Sequence, residues 1–142
     1  MPAARAPEVT VSGADGLARI MRAAVVHVVR QERRRARLGV TFVGKARMRS
    51  LNARYLGHDY VTDVISFPLP QPGGLIAGDI YVCRYAAARN ARAHDVPVRQ
   101  ELRRLVVHGT LHVLGWDHPV GPALTRSPMW RRQERYLAAL DG

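Results

Sequence analysis

Three histidines are concentrated in one short segment, residues 108–118, which reads HGTLHVLGWDH. In a helix with 3.6 residues per turn, His108 and His112 are one turn apart and project from the same face. Gly115 is expected to end that helix, and the turn that follows can bring His118 back toward the same point. Three neutral imidazole nitrogens with a fourth position left open are typical of a catalytic zinc site. We therefore predict that His108, His112 and His118 bind one Zn²⁺ ion.

The alternative interpretation is that these histidines are unrelated surface or core residues. The helix that carries the first two, LRRLVVHGTLHVL, is apolar nearly all round after Arg104, so it is expected to be mostly buried. A buried imidazole that has neither a hydrogen-bond partner nor a metal is costly. One histidine there could be a satisfied core residue, but three at this spacing need a common partner.

The spacing H-x-x-x-H-x-x-G-x-x-H also occurs in metzincin proteases, in which a glutamate directly follows the first histidine and acts as the general base. Gly109 occupies that position here. A metallopeptidase is therefore a second enzymatic interpretation, and it requires another carboxylate near the metal and an acidic or neutral substrate cleft.

The sequence around the histidines alternates between strand and helix patterns without an internal repeat, which predicts a single α/β-type domain over residues 1–142. Strands are predicted at 8–12, 38–43, 61–67 and 75–83, with Pro68 stopping the third and the last two paired as a hairpin. Helices are predicted at 14–30, 45–56, 85–93 and 98–114, and a last one begins at Ser127-Pro128. The residues of this last helix that are expected to face inward are Met129, Gln133, Tyr136, Leu137 and Leu140. The second helix has an expected apolar stripe of Met48, Leu51, Asn52, Tyr55 and Leu56.

The charge balance favours a polyanionic partner. The 142 residues include 22 Lys+Arg and 11 Asp+Glu, a formal net charge of +11, and Lys45 is the only lysine. The planar guanidinium of arginine suits phosphates and stacks on bases, so nucleic acid is favoured over a membrane, and a peptidase is disfavoured. Three groups of arginines could supply phosphate contacts: Arg33, Arg34, Arg35 and Arg37; Arg99, Arg103 and Arg104; and Arg131, Arg132 and Arg135.

Two features indicate a cytoplasmic protein. Residues 1–7 contain no apolar stretch, and the longest apolar run, 23–29, is interrupted by His27, so neither a targeting segment nor a membrane span is expected. Cys83 is the single cysteine, which fits a reducing compartment and a small buried side chain.

Several segments together resemble a known family. LNARYLGHDYVTDVISF, GDIYV, HGTLHVLGWDH and MWRRQERYLAAL are similar, in this order, to motifs of the YbeY family of bacterial endoribonucleases, which act in ribosomal RNA maturation. The resemblance covers residues 41–140. It implies an α+β fold in which a mixed sheet of about four strands packs with about five helices, one of them a zincin-like metal helix. It also implies zinc on His108, His112 and His118, cleavage of single-stranded RNA, 16S rRNA 3′-end processing, and a role in small-subunit quality control.

The sequence departs from the family at one position beside the expected site. The family commonly has an arginine after N-x-x-Y, important for its nuclease activity, and Leu56 stands there in this chain. The substitution removes a cation that could contact phosphate or stabilise the transition state. Arg54 or His58 could replace it, although a solvated surface charge is the simpler interpretation of both.

The mechanism expected from these residues is metal-promoted cleavage of a phosphodiester, by an activated water or by Lewis-acid action on a phosphoryl oxygen. Asp117 is the candidate base, with a turn residue that bonds its own backbone as the alternative. Arg54, Arg103 and Arg104 are the candidate RNA contacts. A different class of function also fits: a non-catalytic ribosome-assembly factor whose zinc is structural.

Overall fold

The computed structural model describes residues 6–141 and contains one four-stranded sheet in the order β1-β2-β4-β3. The strands are β1 (Glu8–Ser12), β2 (Ala36–Val43), β3 (Val64–Pro70) and β4 (Ile76–Cys83). β2 pairs in parallel with β1 and β4, whereas β3 is antiparallel to β4 and forms a free edge of the sheet. The expected mixed sheet and the hairpin are therefore confirmed.

Five α-helices surround the sheet, as expected: α1 (Ala18–Gln31), α2 (Lys45–Leu56), α3 (Arg84–His94), α4 (Val98–Val113) and α5 (Pro128–Asp141). Two 3₁₀ turns, Pro72–Gly74 and Gly121–Arg126, were not predicted from the sequence. No helix within residues 6–141 has the length and apolar character needed to cross a membrane.

Alternate residues of the strands divide the interior into two clusters, because successive side chains of a strand point to opposite faces. Ile80 and Val82 belong to the larger cluster, which includes buried residues of α1, α4 and α5. Cys83 belongs to the smaller cluster together with Met48 of α2, and Tyr81 packs against it. Cys83 is fully buried, as predicted. The larger cluster holds α4, and hence its two histidines, against the sheet.

The predicted bounds of β3 were wrong at both ends. The strand begins at Val64 because the preceding Asp63 accepts a hydrogen bond from the Val64 amide through Oδ1 (2.8 Å). It continues through Pro68 to Pro70 because β3 is an edge strand, where a residue without an amide hydrogen is tolerated.

Helix α1 begins four residues later than predicted. Asp15 and Gly16 have φ angles of +43° and +88°, a left-handed conformation that cannot belong to a right-handed helix. Helix α1 therefore starts at Ala18 rather than at Ala14.

The predicted apolar stripe of α2 was correct for Met48 and Asn52, which are buried, and wrong for its last two residues. Tyr55 and Leu56 are 55% and 48% exposed. The buried Asn52 amide donates a hydrogen bond to the carbonyl of Tyr60 (3.0 Å) and so fixes the chain that leaves the helix. Since its end stands clear of the core, α2 presents these two large side chains to solvent.

Helix α4 lies close against the sheet at Gly109. A Cβ atom added there would lie 2.8 Å from Cγ2 of Ile80 and 3.1 Å from Oγ of Ser66. The Ser66 hydroxyl donates to the Gly109 carbonyl (3.2 Å), which joins β3 to α4 beside His108.

Gly109→Ala is expected to lower the free energy of unfolding by about 1–3 kcal/mol, because the added methyl group overpacks this contact. In an open helix the same change would raise stability by about 0.5–1 kcal/mol. Urea denaturation measures the difference, and Ser50→Ala on the exposed face of α2 controls for helix propensity. A Gly109→Ala protein as stable as the wild type would contradict the close approach.

Candidate metal centre

Three imidazoles converge at the C-terminal end of α4. The helix places His108 and His112 one turn apart, and Gly115, with φ of +102°, reverses the chain so that His118 returns to the same point. Nε2 of His108 lies 3.1 Å from Nε2 of His112 and 3.3 Å from Nε2 of His118. Two nitrogens bound to one tetrahedral zinc at about 2.0–2.1 Å are separated by about 3.3 Å, so the three atoms fit the coordination shell of a single ion.

The tautomer that each neutral ring adopts is set by the partner of its Nδ1 atom. Nδ1 of His112 lies 3.0 Å from the Trp116 carbonyl, and Nδ1 of His118 lies 2.9 Å from the Pro119 carbonyl. A carbonyl oxygen only accepts, so each Nδ1 donates, and in the neutral ring Nε2 then carries a free lone pair.

His108 has the corresponding arrangement with a side chain. Its Nδ1 lies 2.6 Å from Oε1 of Gln133, a fully buried residue of α5. The Gln133 amide nitrogen points instead to Oε1 of Glu134, at 3.4 Å. The Gln133 oxygen therefore accepts from His108, and the third Nε2 also carries a free lone pair.

The pKa of His108 is lowered to about 4, mainly by burial; the hydrogen bond to Gln133 opposes this shift, and the charges of His112, His118 and Arg104 add to it. Burial also lowers the pKa of His112, followed by the charge of His118. Both rings are therefore neutral near pH 7, the state in which imidazole binds metal. Because one ligand nitrogen from each of the three histidines lies within 4.8 Å of the others, this group could hold a metal ion.

A cavity of about 450 Å³ opens beside the histidines. One wall is the edge strand β3, with Leu56 of α2 at its margin, and the other is the end of α4 with the turn after it. The lining residues are Leu56, Val64, Ile65, Ser66, Pro68, His108, His112, Gly115, Trp116 and Asp117. The cavity brings the metal-ligating group next to a surface that a substrate can reach.

Asp117 lies in this cavity and is exposed, and its Oδ1 accepts a hydrogen bond from the amide of His118 (3.0 Å). The structure thus shows the turn bond that was the alternative interpretation of Asp117, and it also places the carboxylate beside the histidines. Both features are compatible with a base on the cavity wall.

The three candidate RNA-binding arginines do not line this cavity. Arg103 forms an ion pair with Asp141. Arg104 forms two hydrogen bonds with the buried Glu101 (2.7 and 2.6 Å), and these bonds raise the pKa of Arg104. Arg54 is exposed on α2, with its guanidinium 5.4 Å from the centre of the Tyr55 ring. The charges of Arg103 and Arg104 are therefore compensated by carboxylates.

Gly109, which follows His108, also excludes the metzincin arrangement, in which a glutamate occupies this position. The Cβ of any residue at Gly109 would meet Ile80 and Ser66, so no glutamate side chain can extend from this position without displacing the sheet. The metallopeptidase interpretation loses its usual base for a steric reason.

Sequence reasoning missed the residues that hold the turn after α4. Glu32, at the end of α1, accepts hydrogen bonds from Trp116 Nε1 (2.6 Å), from Arg132 (2.7 Å) and from the Tyr136 hydroxyl. The guanidinium of Arg132 lies 4.3 Å from the centre of the Trp116 ring. Burial alone would raise the pKa of Glu32, but the bonds from Tyr136, Trp116 and Arg132 outweigh it and lower the pKa. The ionised Glu32 carboxylate therefore holds Trp116 in place, and the backbone carbonyl of Trp116 in turn orients His112.

Known proteins share both the sequence and the fold. The chain is 37% identical over 132 residues to an endoribonuclease YbeY of Anaeromyxobacter sp. strain Fw109-5, an alignment that covers 92% of this chain and 67% of that one. It is 44% identical over 110 residues to the endoribonuclease YbeY of Alkalilimnicola ehrlichii, covering 74% of this chain and 65% of the relative. The matched segments thus span about two thirds of these curated relatives.

A solved structure shows the same architecture. A Thermotoga maritima protein determined in solution is 27% identical, has a TM-score of 0.67, and is matched over 94% of this chain and 88% of its own. The family model for endoribonuclease YbeY matches residues 8–141, which include all three histidines. On these grounds, with the converging imidazoles and the mixed sheet in place, the chain belongs to the YbeY endoribonuclease family.

Proposed function

We propose that residues 1–142 form one domain that works as a zinc-dependent, single-strand-specific endoribonuclease. Its place is the cytoplasm, in 16S rRNA 3′-end maturation and in quality control of the small ribosomal subunit. The observation that carries the proposal is the convergence of the Nε2 atoms of three histidines beside an open cavity. Family membership and the net charge of +11 support RNA as the substrate.

The residues of the chain have separate tasks in this proposal. His108, His112 and His118 hold the ion, which when bound supplies Lewis acidity toward a phosphoryl oxygen or a water molecule. Gln133 and the carbonyls of Trp116 and Pro119 keep the three rings in the ligating tautomer. Asp117, on the cavity wall, accepts the proton of the attacking hydroxyl or water.

Leu56 favours one alternative, a non-catalytic assembly factor with a structural zinc. Its side chain lies at the cavity margin, where the family commonly has a cation, and it is 48% exposed. An apolar group at this position cannot contact a phosphate or balance charge that develops in the transition state. If the chain is a nuclease, it must work without this cation, with the metal and Asp117 as its catalytic groups. We therefore expect its activity to be weak.

The wild-type chain is expected to bind one zinc ion at pH 7, and His112→Ala is expected to abolish that binding. Gln133→Ala should weaken zinc binding about 10–100-fold, because an imidazole without its second hydrogen bond is a poorer and less oriented ligand. Competition with a chromophoric chelator measures the affinity.

Gln100→Ala is the matched control for Gln133→Ala, because Gln100 is an exposed glutamine on α4. Gln133→Glu keeps an oxygen acceptor and should retain more affinity than Gln133→Ala. A Gln133→Ala protein that is folded and binds zinc like the wild type would contradict the positioning role.

The metal-free protein is expected to lose stability as the pH falls from about 6.5 toward 4. In this window the unfolded chain protonates His108 while the folded chain, with a pKa of about 4, does not. The unfolded state then binds more protons, so the free energy of unfolding falls by up to about 1.4 kcal/mol per pH unit for one such group.

Urea denaturation at a series of pH values measures this slope. His108→Gln should flatten it, whereas His94→Gln, which changes an exposed residue of α3, should not. Equal slopes in the wild type and in His108→Gln would show that burial of this imidazole does not govern the effect.

Zinc-loaded wild type is expected to cleave a labelled single-stranded RNA, and Leu56→Arg to cleave it at least about tenfold faster, because a donor aimed at developing charge is worth that much or more. Val98→Arg is the matched control: Val98 is 42% exposed at the start of α4, does not line the cavity, and receives the same charge. Zinc-loaded wild type that cleaves no RNA, beside an active Leu56→Arg, would replace the nuclease with the assembly factor.

A further inference from the structure

We propose that three aromatic side chains on the α2 side of the sheet form a stacking surface for the bases of single-stranded RNA next to the metal centre. The surface, here called the aromatic row, consists of Tyr55, Phe67 and Tyr81. Ring centres are 5.4 Å apart for Tyr55 and Phe67 and 5.8 Å apart for Phe67 and Tyr81, with interplanar angles of 71° and 75°. The inference rests on the proposed function, because it names the path by which the RNA reaches that site.

Cationic side chains stand at both ends of the aromatic row. The Arg54 guanidinium lies 5.4 Å from the centre of the Tyr55 ring, and the Arg47 guanidinium lies 6.0 Å from that of Tyr81. Among residues 6–141 neither arginine forms a salt bridge, in contrast to Arg49 of the same helix, which pairs with Asp59. Their charges are available to a partner.

The helix beneath the row is suited to an anionic partner. α2 reads KARMRSLNARYL and contains four cations and no carboxylate. Only Met48 and Asn52 of the helix are buried, so most of its surface is exposed. Asp79 of β4 is the register partner of Phe67, and Glu8 of the far strand β1 lies on the same face of the sheet.

The row is continuous with the cavity. The chain neighbours of two of its residues line the cavity beside the histidines. They are Leu56, which follows Tyr55, and Ser66 and Pro68, which flank Phe67. A strand whose bases lie on the row can therefore turn over the free edge of β3 and bring a phosphodiester to the histidines.

Single-stranded RNA is the occupant that fits these features together. Exposed aromatic rings with flanking arginines bind unpaired bases by stacking and their phosphates by charge. A duplex hides the faces of its bases, so it can use only the arginines. A purely structural role explains Phe67 and Tyr81, which are half-buried against the smaller cluster, but not Tyr55, which is 55% exposed.

Fluorescence anisotropy with the full chain, in chelator to prevent cleavage, tests the surface with three probes. These are a labelled single-stranded RNA 12-mer, an abasic strand of the same length, and a blunt RNA duplex. Tyr55→Ala should weaken binding of the base-bearing strand about 5–100-fold and leave the abasic strand unchanged, whereas Tyr55→Trp should restore binding. Arg54→Gln should weaken all three probes and reduce the salt dependence of binding.

Tyr85→Ala is the matched control. Tyr85 is 43% exposed and contacts Lys45 and Arg89, but its ring touches none of the rings of the row. Unchanged affinity of Tyr55→Ala for the base-bearing strand, or an equal loss in Tyr85→Ala, would overturn the stacking surface. Binding that depends on Tyr55, in a zinc-loaded protein that cleaves nothing, would support this surface while the proposed nuclease function fails.

Discussion

The structure depends on three imidazole lone pairs that face one another at the end of α4. Each Nδ1 is committed to an oxygen acceptor, so no ring can turn its protonated nitrogen inward to relieve the repulsion. The acceptors come from α5 and from the turn after α4. Glu32, which directly follows α1, fixes that turn by accepting a hydrogen bond from Trp116. Helices that are distant in sequence therefore converge on one arrangement, in which three Nε2 atoms could hold a cation between the rings.

That arrangement also explains how α4 meets the sheet. The helix must bring His108 to the cavity while its neighbour Gly109 lies against Ile80 and Ser66. A side chain at this position would push the helix away from β3, and the cavity wall and the histidines would separate. The same contact leaves no room for the glutamate that metzincin proteases have at this position. Gly109 thus allows α4 to pack on the sheet and also excludes a protease-type base.

The convergence of the three histidines could be predicted from the sequence because they lie within eleven residues, and helical periodicity with one glycine turn determines where they point. Gln133 could be predicted to face inward, but not to contact His108, because that contact depends on how α5 crosses α4. Glu32 is 84 residues from Trp116, and no spacing rule links them. The extension of β3 through Pro68 and the exposure of Leu56 follow from the edge position of β3 and from where α2 ends on the sheet, which are properties of the assembled fold.

X-ray absorption spectroscopy of the zinc-loaded chain at neutral pH tests the central claim most directly. The account predicts one zinc per chain with three imidazole nitrogens at about 2.0–2.1 Å and a fourth light-atom ligand that inhibitory anions can replace. A chain that takes up no zinc, or a zinc whose fourth ligand is another protein side chain that anions cannot displace, would contradict it.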